Sequence, residues 1–465
     1  MTPGDARRLG GILAFGAGVA LAIHGDEARA PRSTLAAGAL LILLLALRPK
    51  LWVARLSGKM ALCLTAAALL VACPTSLAAA RLLFEGMFKY LPVIALLLCM
   101  PLLRIAFLRG KLDVFVIGRL GRVPARHRLR AVLAATVLLT PVISLGVVAV
   151  MGAFLRGRSR PELAAPRTVM RGVIATMLWA PTTAAVAVVM HQFPEVSWAS
   201  ALALGVPISV AALGLAALEP GDVTSDAPGA AGEAAPDAAG AAAPGVDEKA
   251  APGAREKAAP ARALWICGLV LAGVTSSGYL LAGLTLTNAV SISAIALVAL
   301  WFTTFERLAP GGARAVMHDH LVRTWTQVSP EVSLFLSSGL FATALRQAGW
   351  QPTIPLADPS LGWLSIAGIV FGVSLVTALG IHPIVPFSIL TAGATQASLG
   401  LSSVGLYTMW IVVFMLSMLV SPVSVLNLTT AASFEVPPWR LGLPSHWRYA
   451  LVIGGLATVL LWAAR

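Results

Sequence analysis

Residues 131–155 read AVLAATVLLTPVISLGVVAVMGAFL, a stretch without a single charge. Arg119, Arg122, Arg126, Arg128 and Arg130 precede it, and Arg156, Arg158, Arg160, Arg167 and Arg171 follow. Lys and Arg concentrate in cytoplasmic loops, so both ends of the stretch belong on the same side, whereas a single crossing would carry one cluster to the other. The pattern therefore predicts a re-entrant hairpin approached from the cytoplasm. Its tip is expected where Thr140-Pro141 and Ser144-Leu145-Gly146 supply a missing N–H donor, two hydroxyls and a flexible glycine. The competing reading is one tilted helix kinked at Pro141.

The rest of the chain agrees with a membrane setting. Of 465 residues, 58% are hydrophobic and 12% are charged, with a mean hydropathy of +0.85; soluble domains carry about 25% charged residues. That balance excludes a water-soluble enzyme, a nucleic-acid-binding domain and a disordered scaffold. Apolar segments are commonly about 15 to 22 residues long and do not alternate as barrel strands do, so the expected fold is an all-α polytopic bundle. Spans are expected near 9–23, 35–47, 60–80, 90–108, 131–155, 169–190 and 197–218. A second set is expected near 264–284, 286–303, 332–346, 361–399, 403–432 and 448–463.

The net charge of +14 sits in loops and reports orientation rather than a polyanionic partner. Arg7 and Arg8, then Arg48, Lys50, Arg55 and Lys59, place the N-terminus in the cytoplasm and the protein in an inner membrane, multi-pass. Residues 221–262, rich in Ala, Gly and Pro, hold no Leu, Ile, Phe, Met, Trp or Tyr before residue 261. Such a segment cannot bury enough apolar surface to offset its ordering entropy. It is expected to be a disordered cytoplasmic linker between membrane halves 1–220 and 263–465.

The halves share a spacing of prolines. Thr140-Pro141 is followed, forty residues on, by Ala180-Pro181-Thr182-Thr183; His382-Pro383 is followed, thirty-nine residues on, by Ser421-Pro422-Val423-Ser424. The segment 361–399 has no Lys or Arg at its borders, as expected of a hairpin approached from the outside. The halves are therefore expected to be inverted-topology repeats, each with a re-entrant hairpin and a discontinuous helix, an arrangement that places a binding site near the bilayer midplane.

Three segments carry a family resemblance. Glu331-Val332-Ser333-Leu334-Phe335-Leu336-Ser337-Ser338-Gly339 to Gly349 is similar to the helix that precedes a hairpin in the ion transporter superfamily. That group includes the divalent anion/sodium symporters, arsenite permeases and gluconate/citrate permeases. Ser374-Leu375-Val376-Thr377-Ala378-Leu379-Gly380 through Thr391 resembles the hairpin, and Met418 to Thr430 the discontinuous helix after it. The Ser-Asn-Thr sequence those families often carry at hairpin tips is replaced here by Thr140-Pro141 and Gly380-Ile381-His382-Pro383. The resemblance implies a homodimer held by a scaffold domain, and a transport domain that moves as an elevator.

Every acidic residue falls in a loop, at a span end or in the linker, whereas proton-driven cation carriers usually keep a carboxylate at depth. Hydroxyls, free N–H groups and helix N-termini suit a small anion, either an organic carboxylate or an inorganic oxyanion. The expected substrate- and ion-binding residues are Thr140, Ser144, Thr182, Thr183, Thr377, His382, Ser421 and Ser424, with Na⁺ or H⁺ as the coupling ion. No cofactor, metal centre or catalytic residue is expected, and neither is a nucleic-acid partner. The alternatives are an intramembrane enzyme, for which no nucleophile-base constellation is evident, and a non-transporting assembly factor, which would have no use for paired helix breaks.

Overall fold

The computed structural model describes residues 16, 56–72, 76–109, 111–155, 159–160, 162–219, 222–223, 268–281, 283–305, 310–350, 362–391 and 394–465. Nearly all of the expected spans at 9–23 and 35–47, and the linker apart from residues 222 and 223, lie outside these. The described chain is helical, apart from a two-residue antiparallel pairing of Ser159–Arg160 with Asp222–Val223. It is an all-helical membrane protein. Among the described residues, five helices are long and apolar enough to cross a bilayer, among them Trp198–Ala217, Leu286–Thr304 and Ser403–Phe434.

In the first half the main helices are α1 (Leu56–Ala72), α2 (Leu77–Met87), α3 (Leu91–Cys99) and α4 (Pro101–Arg109). Then come α5 (Ala125–Ile143), α6 (Gly146–Leu155), α7 (Ala164–Thr176), α8 (Ala184–Gln192) and α9 (Trp198–Ala217). After the linker follow α10 (Leu286–Leu300), α11 (Pro310–Gln347), α12 (Gly362–Ala378) and α13 (Ile384–Leu390). The last three are α14 (Ser403–Val420), α15 (Val425–Phe434) and α16 (Leu443–Ala463). Ser197, Thr285, Ser402 and Ser424 start α9, α10, α14 and α15, each accepting a hydrogen bond from the backbone three residues on.

Two features place the site. The helices α7/α8 and α14/α15 are each one span broken in the middle, and they pack on each other: α7 lies against both α14 and α15, and α8 lies against α14. Around them α9 and α16 close one side and α3 and α10 the other, with α11 packed on α3. Along the second side α11 presses on α1 and α2, so closely that a Cβ on Gly339 would lie 2.4 Å from the Gly86 carbonyl oxygen. Large side chains fill the middle, with Trp410, Phe387 and Phe414 in edge contacts.

The stretch 131–155 is broken, but not at its proline. Pro141 sits inside the last turn of α5, and the chain turns at Ser144-Leu145, where Ser144 has a φ of +48°. Pro141 removes one N–H bond from that turn without ending the helix, whereas a left-handed residue cannot continue a right-handed helix. In the stretch 361–399 the break runs from Leu379 to Pro383, with Gly380 at φ +101°. There the proline follows the turn and stands at the N-cap of α13.

Candidate functional site

The two broken helices interrupt at the residues the sequence marked, with the same local course. Ala180 and Ser421 end the first limb; Pro181-Thr182 and Pro422-Val423 turn; Thr183 and Ser424, both extended, lead into α8 and α15. Before each break the N–H of Ala180 or Ser421 still reaches back four residues, to Thr176 O at 2.8 Å and to Ser417 O at 3.0 Å. Beyond it, carbonyls and N–H groups lose their helical partners, and in an apolar surrounding they need others.

At the first break those partners come from α9. Trp198 Nε1 donates to Trp179 O at 3.0 Å, and Ser209 Oγ donates to Ala175 O at 2.9 Å. Gly205 lies so close that a Cβ there would fall 2.2 Å from Leu178 O. At the second break the partners are internal: Asn427 Nδ2 donates to Ser421 O at 3.0 Å, and Ser424 Oγ donates to Met418 O at 2.6 Å while accepting from Asn427 N at 3.1 Å. Gly442, just before α16, packs on Val420 O, 2.7 Å from where its Cβ would lie.

After this accounting several oxygens remain. Thr182 Oγ1, Ser417 Oγ, Ser421 Oγ and Asn427 Oδ1 are buried without a hydrogen-bond partner. Buried polar atoms are nearly always paired, so four unpaired oxygens on two helices that pack together mark a place able to take a ligand's donors or a cation. Of these, Ser417 and Asn427 escaped the sequence reading. Their signal was there: Ser417, Ser421, Ser424 and Asn427 recur four, three and three residues apart, a helical spacing that runs across the break at Pro422.

The other expected residues fare differently. Thr183 Oγ1 bonds weakly to Ala180 O at 3.4 Å. Thr140 is buried within α5 and donates to Thr136 O at 2.7 Å, so its hydroxyl is spent on its own helix. Thr377 does the same to Ser374 O at 2.8 Å. His382 is half-buried at the break between α12 and α13, and its Nδ1 accepts the Ile384 N–H at 3.3 Å, bracing the start of α13. Ser144 forms the break between α5 and α6 itself. Arg104, on α4, brings its stem to that break: a Cβ on Gly146 would lie 3.8 Å from Arg104 Cδ. Among the described residues no three His, Cys, Asp or Glu side chains come together as metal ligands.

Neither a family model nor a curated protein sequence matches the chain. Among solved structures, the crystal structure of the YdaH transporter of Alcanivorax borkumensis, described as having an unusual topology, matches with a TM-score of 0.52 at 15% identity. The match covers 88% of this chain and 97% of that one. In fold, the chain is similar to a transporter. At this identity the likeness concerns the path of the chain, not the residues at the site.

Proposed function

We propose that the protein is a secondary active transporter moving a small anion, an organic carboxylate or an inorganic oxyanion, across an inner membrane in symport with Na⁺ or H⁺. The observation that carries this reading is the pair of helix breaks at Pro181 and Pro422, on helices that pack together and keep buried oxygens unpaired. Interrupting two spans loses backbone hydrogen bonds, and irregular backbone at membrane depth is tolerated where it is buried in protein or lines a cavity. The likeness in fold to the YdaH transporter supports the same reading. In it, the halves are inverted repeats around the two breaks, the stretches broken at Ser144 and Gly380 are hairpins from opposite sides, and the N-terminus is cytoplasmic. The protein works as a homodimer whose hairpin-bearing part moves as an elevator.

The test is uptake into proteoliposomes of purified protein, screened over carboxylates and inorganic oxyanions with imposed Na⁺ and pH gradients. The expected result is accumulation of one class that collapses with its gradient; no gradient-dependent uptake of any anion ends the proposal. Single cysteines at positions 144 and 382 in a cysteine-free background test the movement. Water-soluble thiol reagents are expected to reach both positions, with access changing in opposite senses as the carrier switches. Two positions inert from either side rule out the hairpins.

A further inference from the structure

A second polar cluster lies away from the breaks, at the end of the bundle where α8 finishes. Lys89 and Tyr90 form a 3-10 turn between α2 and α3; His191 is in the last turn of α8; Arg346 is in the last turn of α11; Ser388 is on α13. Tyr90 is the hub. Its hydroxyl pairs with Ser388 Oγ at 2.8 Å, its ring meets Phe335 and His191 edge-on at 5.8 and 6.5 Å, and Lys89 Nζ stands 5.6 Å from its centroid. The His191 ring bonds to the Lys89 main-chain carbonyl, and α11, which carries Arg346, packs on the Phe88–Tyr90 turn.

Three basic groups thus converge from both halves of the chain. Among the described residues none of them pairs with a carboxylate. The nearest acid in sequence, Glu85, is held by Arg81 at 2.8 Å, and Arg346 Nη2 donates to Thr343 Oγ1 at 3.1 Å. Gathering like charges and half-burying a lysine are both unfavourable unless an opposite charge arrives; the Tyr90 ring offsets only a part. The positions are nevertheless fixed by uncharged contacts, so the cluster exists before any ligand comes.

We propose that Lys89, Arg346 and His191 form an oxyanion site that takes the carboxylate or phosphate group of a molecule approaching from this end of the bundle, ahead of the site at the two breaks. The inference rests on the anion-transport reading for its place in the path, but not for its chemistry. Arg and Lys together suit a group with two or more oxygens, which the guanidinium grips in its plane and the ammonium holds as a point charge.

Lys89 itself reports occupancy. Full-length protein in phosphatidylcholine nanodiscs is treated with a membrane-impermeant amine acylating reagent, and acylation at Lys89 is followed by mass spectrometry. Inorganic phosphate or succinate is expected to slow it roughly tenfold at ten times its dissociation constant, with choline chloride at matched ionic strength leaving the rate unchanged. Arg346→Gln is expected to remove most of that protection.

Replacing part of the lipid by phosphatidylglycerol separates the sources. Protection that follows the lipid and ignores soluble anions overturns the approach role and assigns the site to a headgroup phosphate. Equal acylation under all conditions overturns the site itself. Uptake by proteoliposomes without protection at Lys89 removes this inference and leaves the transport reading standing; protection without uptake does the reverse.

Discussion

The breaks at Pro181 and Pro422 follow the same local course yet are held in different ways. The first depends on a neighbour: α9 supplies Trp198, Ser209 and the bare backbone at Gly205 to the carbonyls of residues 179, 175 and 178. The second is braced mainly from within, by Ser424 and Asn427 of its own following limb. A break tied to another helix moves only with that helix. A break that satisfies its own backbone keeps its shape while its surroundings shift, and it is also the one that leaves two serine hydroxyls, Ser417 and Ser421, unpaired. Similar chain geometry therefore produces one docked element and one self-supporting element facing it.

The sharpest way to break this comparison is at the glycines. Gly205→Ala puts a methyl 2.2 Å from a main-chain oxygen that cannot swing aside. We expect a loss of about 3 kcal/mol, read as a fall in the thermal midpoint of the purified protein. Gly442→Ala, at 2.7 Å from Val420 O, is expected to cost about half as much. Gly214→Ala, with open space around its added methyl, is the control. A Gly205→Ala midpoint equal to that of the control means α9 is not docked on the first break.

Next in size is Asn427→Ala, which strips the side-chain donor from Ser421 O and leaves it only the longer bond from Ser424 N at 3.3 Å. Losing that buried bond is worth about 1.5 kcal/mol. Trp198→Phe keeps the ring and deletes only the Nε1 donor to Trp179 O, next to a partly exposed side chain, for about 1 kcal/mol. If Trp198→Phe proves more damaging than Asn427→Ala, the second break is not the self-supporting one.

Smallest in stability is Ser417→Ala. Removing a buried hydroxyl that has no partner is expected to leave the midpoint unchanged or to raise it, by no more than about 1 kcal/mol. In the proposed carrier the same change lowers anion uptake, and the informative outcome is that contrast. Uptake kept at full rate would remove Ser417 from the site.

Much of this arrangement was legible in the residues. Pro181 and Pro422 interrupt long apolar runs, and a proline followed by hydroxyl residues at a helix N-cap position breaks a helix wherever it is buried. The tip expected from Thr140-Pro141 to Ser144-Leu145-Gly146 contains the turn at Ser144-Leu145, with Pro141 inside the last turn of α5. His382, expected among the binding residues, also accepts the Ile384 N–H through its Nδ1. Lys89, Tyr90 and Ser388 passed unnoticed because nothing in a linear reading brings residue 90 to residue 388.

Composition and pattern by themselves determined that the described chain is helical, that it belongs in a bilayer, and where two of its spans must interrupt. Each of these follows from local chemistry: apolar length, missing N–H donors and capping hydroxyls act over a few residues. Only the tertiary structure decided which neighbour answers each broken carbonyl, which oxygens stay unpaired, and which basic side chains converge. Those outcomes depend on contacts beyond the local turn, from Trp198 on Trp179 to Tyr90 on Ser388, where a glycine's bare backbone or a tryptophan's single N–H matters through what the fold sets beside it.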